Sequence, residues 1–173
     1  MRKLKTGCIH IYTGDGKGKT TASLGIALRA ASSGLGVCMF QFLKAHGTSS
    51  ESWLEFPNFR VVCLGQAHPM FGGSKEKLSS GIRKELAKIK RVMKAKKYDV
   101  IILDEVINCV SEGFVKAADL LDLIRSRPKK LELILTGRGA PKELVEAADY
   151  VTKLEKVKHP FDNGLHCRKG IEY

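Results

Sequence analysis

The stretch Gly7-Cys-Ile-His-Ile-Tyr12, followed at once by Thr13-Gly-Asp-Gly-Lys-Gly-Lys-Thr-Thr21, decides the fold. Its first part is short and apolar, as in a buried strand, and its glycine-rich part leads into a predicted helix over residues 19–33. A glycine-rich turn between a strand and a helix lets backbone N–H groups converge on phosphate oxygens, and the helix N-terminus adds positive potential. The stretch therefore predicts that the chain binds a nucleoside triphosphate.

Two side chains of this loop predict specific contacts. Lys19 can reach phosphate oxygens, and the Thr20 hydroxyl can ligate Mg²⁺. The usual pattern has a glycine five positions before Gly18, where this chain has Thr13, so the loop is one residue shorter than usual if Gly14 takes that role. The candidate phosphate site comprises Gly14, Asp15, Gly16, Lys17, Gly18, Lys19, Thr20 and Thr21.

The rest of the chain alternates short apolar runs with helical patterns. The runs predict strands at 37–42, 60–64, 99–104, 131–136 and about 150–154, and the periodic segments predict helices at 75–97, 114–125 and 141–148. A loop or short helix is expected around 49–56. Near-continuous apolar strands joined by helices predict a mostly parallel sheet covered on both faces. We therefore expect one α/β domain with a P-loop (RecA-like) fold over 1–173, in which 156–173 form an irregular C-terminal tail.

The formal net charge of +12 is distributed very unevenly. Residues 75–97 carry ten Lys or Arg and two Glu, a net charge of +8, which leaves +4 for the rest of the chain. The apolar residues of this segment recur at steps of three or four, namely Leu78, Ile82, Leu86, Ile89 and Met93, which predicts one buried helix face. The lysines then occupy mainly the solvated face, and no aromatic residues interleave with them to stack bases. The segment favours a solvated helix over a nucleic-acid-binding surface.

Neither a membrane segment nor a disulfide framework is predicted. The chain has no run of about 20 apolar residues and no signal-peptide core at its N-terminus, so we expect a cytoplasmic protein without a membrane partner. The five cysteines are scattered and never form a Cys-x-x-Cys pair. This pattern predicts buried free thiols rather than disulfides or a zinc site.

Acidic and basic residues follow two of the predicted strands. Ligands of open α/β sheets bind at the carboxyl ends of the strands, so Asp104 and Glu105 are expected near the phosphate loop. Either could bind metal directly or through water, or Glu105 could act as a base on an attacking water. The alternative is an acidic cap for the following segment. Arg138, within Thr136-Gly-Arg-Gly139, is either a second cationic contact in the same crevice or a surface turn residue.

Several segments together resemble one family, the ATP:corrinoid adenosyltransferases that salvage or complete cobalamin. They are Tyr12–Ala22 with Arg29 in the next helix, Gln41-Phe-Leu-Lys44, Leu103-Asp-Glu-Val106, Ile134-Leu-Thr-Gly-Arg-Gly139, Val157-Lys-His-Pro-Phe-Asp162 and Lys169-Gly-Ile-Glu-Tyr173. The resemblance covers nearly the whole chain, and the shortened loop is this family's own version. Ordinary nucleoside triphosphatases have no reason to share the Thr136-Gly-Arg-Gly139 and Val157-Lys-His-Pro-Phe-Asp162 segments.

The resemblance implies transfer of the 5′-deoxyadenosyl group of ATP to the cobalt of a reduced corrinoid, cobalamin or cobinamide, with release of triphosphate. Cobalt(I) is then the nucleophile, so no protein base is required, and the site must stabilise triphosphate as a leaving group. The resemblance also implies that the nucleotide lies reversed relative to ordinary P-loop enzymes.

The same resemblance assigns roles to individual residues. Gly14 to Thr20 hold phosphates, and Lys17 and Arg29 are further contacts. Lys19, Thr20 and Glu105 form the catalytic set, in which Thr20 and Glu105 hold Mg²⁺ or Mn²⁺. A reduced flavoprotein is the expected electron donor, and a homodimer is the expected assembly. The alternative suggested by the basic segment is a nucleic-acid-stimulated P-loop ATPase.

The corrinoid side of the site is where the chain differs from the family. The family presses apolar side chains below the corrinoid ring to remove its lower axial ligand. Where relatives carry an aromatic pair after a glycine, this chain has Gly65-Gln-Ala-His-Pro-Met-Phe71. Phe71 or Met70 could supply the apolar wedge, whereas His68 could ligate cobalt instead or be an ordinary loop residue. His159 either packs the tail or contacts corrinoid or nucleotide.

Overall fold

A computed structural model of the protein describes residues 4–45, 50–65 and 74–171. Its strands are β1 (Ile9–Thr13), β2 (Val37–Gln41), β3 (Phe59–Cys63), β4 (Val100–Asp104), β5 (Glu132–Thr136) and β6 (Tyr150–Lys153). Its α-helices are α1 (Lys19–Ser32), α2 (Lys75–Lys94), α3 (Val106–Ser111), α4 (Ala117–Arg125) and α5 (Lys142–Glu146). Short 3₁₀ turns cover Ser50–Trp53 and Pro160–Asn163.

All six strands belong to one parallel sheet in the order β3-β2-β4-β5-β1-β6. The register pairs Gln41 with Asp104 and Tyr12 with Thr136, so the carboxyl ends of β2, β4, β5 and β1 lie side by side. The loops after these strands therefore meet at one edge of the sheet, which is where an open α/β sheet binds its ligands. The expectation of a mostly parallel α/β sheet is confirmed.

Helices cover both faces of the sheet, as predicted. Helix α1 packs its alanines Ala27, Ala30 and Ala31 on one face, against Met39 and Ile102 among others. Helices α2 to α5 cover the other face, where their buried residues join a larger cluster with alternate residues of β1, β2, β4 and β5. This alternation follows from the two-residue period of a strand, which sends neighbouring side chains to opposite faces.

Helix α2 confirms the prediction made from its apolar spacing. All five predicted core residues, Leu78, Ile82, Leu86, Ile89 and Met93, are buried. The helix begins after Ser74, whose hydroxyl accepts a hydrogen bond from the Lys77 N–H at 3.4 Å. Most of its lysines and arginines are exposed, and Lys90 binds Asp122 of α4 at 2.7 Å. The basic segment is therefore a helix with one buried face.

The structure differs from the sequence prediction after β4. Helix α3 was not predicted, because Val106–Ser111 is short and apolar and its residues show no helical period that a window could detect. Helix α4 begins at Ala117 rather than Phe114. The Phe114 and Val115 side chains are buried in the larger cluster instead, which explains the apolar pattern that suggested a longer helix.

Two other expectations can be compared directly. The five cysteines are free thiols, but only Cys38 and Cys109 are buried. Cys8 and Cys63 are partly exposed, and the prediction of a buried thiol is wrong for the exposed Cys167. Its segment lacks the apolar neighbours that bury Cys38 and Cys109. Among the residues that the structure describes, no helix has the length and apolar character needed to cross a membrane.

Candidate active site

The glycine-rich loop runs from Gly14 to Gly18 between β1 and α1. Gly18 precedes the helix with a φ of 111°, a conformation that favours glycine. The Lys19 ammonium donates hydrogen bonds to the carbonyl oxygens of Gly14 at 2.8 Å and Gly16 at 2.6 Å. The lysine therefore folds back over the loop, where its charge faces the space that the loop surrounds.

Glycine is required at two loop positions because the chain after β6 packs directly on them. Gly14 has a φ of 100°, and a Cβ atom on Gly16 would lie 2.6 Å from the Glu155 carbonyl oxygen. The Gly16 N–H also donates to the Leu154 carbonyl oxygen at 2.9 Å. The loop is thus held against the start of the tail, which explains why the tail belongs to the site.

A buried carboxylate ties this loop to the centre of the sheet. Asp104, at the end of β4, is 0% exposed. Its Oδ1 accepts hydrogen bonds from the Thr20 hydroxyl at 2.9 Å and from the Thr136 hydroxyl at 2.7 Å. The Thr136 hydroxyl oxygen in turn accepts a hydrogen bond from the Glu105 N–H at 2.9 Å. Residues from α1, β4 and β5 therefore form one connected polar cluster.

The second oxygen of this carboxylate is the exception in the cluster. Asp104 Oδ2 accepts no hydrogen bond from the described residues, and a buried polar atom is normally satisfied. It faces the Lys44 ammonium at 3.4 Å, and Lys44 lies 3.7 Å from Glu51 Oε2. Because the Thr20 proton points to Asp104, the lone pairs of its oxygen remain able to coordinate a cation. A threonine oxygen beside an incompletely bonded carboxylate fits a divalent metal with phosphate ligands.

Glu105 has an unusual environment for a carboxyl group. Its backbone has a φ of 62°, and its side chain makes no capping hydrogen bond to α3. The interpretation of this residue as an acidic cap is therefore not supported. Burial, together with the neighbouring Asp104 carboxylate, raises the pKa of Glu105 to about 7. A positive charge beside the Glu105 carboxylate, such as a metal ion, would lower that pKa again.

Arg138 extends into the same space from the turn after β5. Gly137 has a φ of 143°, and a Cβ atom there would lie 2.7 Å from the Asn108 backbone nitrogen. The Asn108 Oδ1 accepts a hydrogen bond from the Arg138 N–H at 2.6 Å. Burial and the nearby Arg138 charge both lower the pKa of Lys19. The carboxylates of Asp15, Glu105 and Asp104 act in the opposite sense but do not prevail, so an anionic ligand between Lys19 and Arg138 would be favoured.

The tail forms one wall of the site. His159 precedes the turn Pro160–Asn163 and accepts a hydrogen bond from the Phe161 N–H on its Nδ1 at 3.2 Å. Lys156 binds Asp162 at 2.9 Å and donates its backbone N–H to Asp15 Oδ1 at 3.4 Å. The Phe161 ring is 61% exposed and faces the site. The tail therefore adds apolar surface beside a polar phosphate loop.

These segments enclose an open cleft of about 980 Å³. The structure brings most of the predicted site residues to its lining, namely Asp15, Gly16, Lys17, Gly18, Lys19, Thr20, Thr21, Glu105, Arg138 and His159. Gly14 contributes its carbonyl to Lys19, as described above. Arg29 is exposed in the last turn of α1, about 15 Å along the helix from Lys19, and does not belong to this lining. His68, Met70 and Phe71 lie outside the described residues.

Sequence reasoning did not assign roles to several residues of the cleft, among them Lys44, Glu51 and Asn108. The segment Gln41-Phe-Leu-Lys44 gives no function to Lys44, and no sequence pattern marks Glu51 or Asn108. Only the position of Lys44 three residues after the buried strand β2 could have indicated its place at the ligand-binding edge. Cys167 also lines the cleft, from a tail whose path has no sequence period.

The parallel sheet, the loop after β1, the Thr20–Asp104 pair and the converging cations define a P-loop nucleotide-binding protein. A family model described as "ATP:corrinoid adenosyltransferase BtuR/CobO/CobP" matches residues 5–173. The chain therefore belongs to the family of ATP:corrinoid adenosyltransferases, as its sequence motifs suggested.

Individual relatives agree with this membership. The chain is 33% identical over 170 residues to the corrinoid adenosyltransferase of Escherichia coli strain K12, covering 96% of this chain and 86% of that protein. It is 32% identical to corrinoid adenosyltransferase CobA of Salmonella typhimurium, with the same coverage. Among solved structures, flagellar accessory protein FlaH from Methanocaldococcus jannaschii matches 87% of this chain and 72% of its own, with a TM-score of 0.59 and 15% identity. That likeness concerns the fold alone.

Proposed function

We propose that this protein transfers the 5′-deoxyadenosyl group of ATP to the cobalt of a reduced corrinoid. The observation that supports this most strongly is the family match over residues 5–173, combined with a cleft in which Lys19 and Arg138 lie together with the apolar side chain of Phe161. Cobalt(I) supplies an electron pair to the ribose C5′, a cobalt–carbon bond forms, and the C5′–O bond breaks. Triphosphate leaves with the electron pair of that bond.

The chain's own residues have a defined task in this reaction. Lys19, the loop N–H groups and Arg138 stabilise the charge that develops on the departing triphosphate. The tail residues His159 and Phe161 form the wall beside which the ribose and corrinoid would lie. No group of the protein needs to remove a proton, because the nucleophile is the cobalt of the substrate.

A divalent cation, Mg²⁺ or Mn²⁺, is part of the proposal. The Thr20 hydroxyl oxygen and the Asp104 or Glu105 carboxylate would hold it, and the buried Asp104 Oδ2 without a hydrogen bond supports that assignment. When bound, the ion neutralises phosphate charge during departure. We also propose a reduced flavoprotein as the electron donor, a homodimer as the assembly and the cytoplasm as the location, all by analogy with the family.

The test is an adenosylation assay with ATP, Mg²⁺ and chemically reduced cobalamin. We expect loss of the cobalt(I) spectrum, a light-sensitive product, and one triphosphate released for each corrinoid consumed. Production of ADP stimulated by RNA or DNA, without a cobalt–carbon product, would instead identify a nucleic-acid-stimulated ATPase. Cobinamide in place of cobalamin would measure the preference between the two corrinoids.

A further inference from the structure

Lys44 is a partly buried cation beside the proposed metal site, and the adenosyl transfer assigns it no role. It follows β2, the neighbour of β4 in the sheet, so strand order brings it beside Asp104 although 60 positions separate them in sequence. Its side chain is 17% exposed. It lies between Asp104 Oδ2 at 3.4 Å and Glu51 Oε2 at 3.7 Å.

Two carboxylates, Asp104 and Glu51, face the Lys44 ammonium from different elements of the fold. Both ion-pair distances exceed the 2.7–2.9 Å or so of a direct charge-assisted hydrogen bond. The ammonium is therefore held by two carboxylates without being locked to either of them.

From this geometry we infer that Lys44 is the internal counter-ion of the divalent-metal site, competing with the metal for the Asp104 carboxylate. In the metal-free protein Lys44 compensates a buried negative charge that no hydrogen bond satisfies at Oδ2. An incoming divalent cation takes over that compensation, and Glu51 is the second carboxylate that retains the lysine. Lys44 acts through Asp104 and is thus a positioning residue. The inference rests on the metal site of the proposed function.

Mn²⁺ binding to the nucleotide-free protein, measured by electron paramagnetic resonance at mildly alkaline pH, tests the inference. Lys44→Met keeps the length of the side chain and removes its charge. We expect it to bind Mn²⁺ about tenfold more tightly than the wild type, because a cation some 4 Å from a metal ligand opposes a second cation. Lys44→Arg keeps the charge and should resemble the wild type.

Lys88→Met is the matched control, since it removes the same charge from a 62% exposed residue of α2 that is paired with Glu85. It should bind Mn²⁺ as the wild type does. Thermal unfolding gives a second readout: Mn²⁺ should raise the Tm of Lys44→Met more than that of the wild type. The double variant Lys44→Met/Glu51→Gln removes both charges of one ion pair and provides a folded version if the single variant is unstable.

Equal or weaker Mn²⁺ binding by Lys44→Met, or no binding anywhere in the millimolar range, would overturn the inference. Weaker binding would mean that Lys44 only holds the carboxylates in place. The measurement uses neither ATP nor corrinoid, so a negative result for metal binding can be distinguished from a failure of adenosyl transfer. A wild-type protein that transfers adenosyl groups normally could still give a negative result here.

Discussion

Two polar clusters lie in the same sheet, and they differ in whether their hydrogen bonds are complete. In the cluster at the amino end of β5, Glu132 Oε1 pairs with His10 Nε2 at 2.5 Å and Oε2 accepts the Cys8 N–H at 2.7 Å. His10 also stacks on Tyr150, with ring centroids 4.6 Å apart. In the cluster at the carboxyl end of β4, Asp104 Oδ1 accepts two hydrogen bonds and Oδ2 accepts none from the described residues.

The pKa values of the two clusters move in opposite directions. Burial acts against the charge of Glu132, but the hydrogen bonds from His10 and Cys8 prevail and lower its pKa. Burial and the Asp104 carboxylate raise the pKa of Glu105. A cluster whose polar atoms are all hydrogen-bonded stabilises the fold, whereas a cluster with a buried polar atom that accepts no hydrogen bond can be completed by a ligand. We therefore infer that the first cluster is structural and the second functional.

The largest effect should come from removing Lys19, the lysine of the glycine-rich loop, which lies in the same cleft as the incomplete cluster. We expect Lys19→Ala to reduce adenosyl transfer by about 100- to 1,000-fold, because one preorganised group on the leaving charge is lost. Its Tm should stay close to the wild-type value, since burial and Arg138 both oppose the Lys19 charge. The measurement is the rate of cobalt(I) loss under saturating ATP. Lys88→Ala is the control, and near-normal activity of Lys19→Ala would contradict the assignment.

The next effect is on the stability of the metal-free protein. The pKa of Glu105 is about 7 in the folded protein, against an ordinary value of 4.5. Between pH 4.5 and pH 7 the folded state therefore retains a proton that the unfolded state has lost. Its contribution therefore makes the protein less stable as pH rises from 4.5 to 7. Glu105→Gln should remove this cost, giving about 2–3 kcal/mol more stability above pH 7 and little change near pH 4.5. Urea unfolding in EDTA at both pH values measures it, and a pH-independent difference would refute it.

Asp104→Asn should separate activity from stability. The amide oxygen can still accept the Thr20 and Thr136 hydroxyls, but the amide NH2 would face the Lys44 ammonium, so we expect a moderate fall in Tm. The loss of the carboxylate should weaken Mn²⁺-dependent activity by about tenfold to 100-fold. A Mn²⁺ titration of the transfer rate, beside thermal unfolding, checks both. A large drop in Tm with unchanged metal dependence would place this cluster in the structural class.

The sequence predicted the loop side of this site well, because its residues are consecutive. Gly14 to Thr21 carry the strand, the turn and the helix start in one run, so local chemistry alone locates Lys19 and Thr20. Asp104 and Glu105 were both recognised from the end of an apolar strand. Choosing between them needs a distance, and the structure supplies the hydrogen bond from Thr20 to Asp104 rather than to Glu105.

The remaining residues of the site depend on topology. Lys44 approaches Asp104 because β2 neighbours β4, and Asn108 approaches Arg138 because α3 packs beside β5. Neither adjacency has a local pattern, and α3 itself was missed. The Arg29 contact rested on resemblance and stays a prediction, as do those of His68 and Phe71 outside the described residues.

The smallest expected effect concerns the cluster of Glu132, His10 and Cys8, whose hydrogen bonds are complete. Glu132→Gln removes a charge that two hydrogen bonds stabilise, so we expect the unfolding free energy to fall by about 0.5–1 kcal/mol at pH 7. The effect is small because the group is only partly buried and solvent screens its charge. The folded pKa is below 4.5, so the ionised form stabilises the fold above that pH and the contribution is lost as pH falls through the lowered pKa. The difference in unfolding free energy should therefore vanish in acid, the reverse of the Glu105 pattern. Adenosyl transfer at neutral pH should stay unchanged, and a loss of activity without a loss of stability would show that the two clusters are not separate in function.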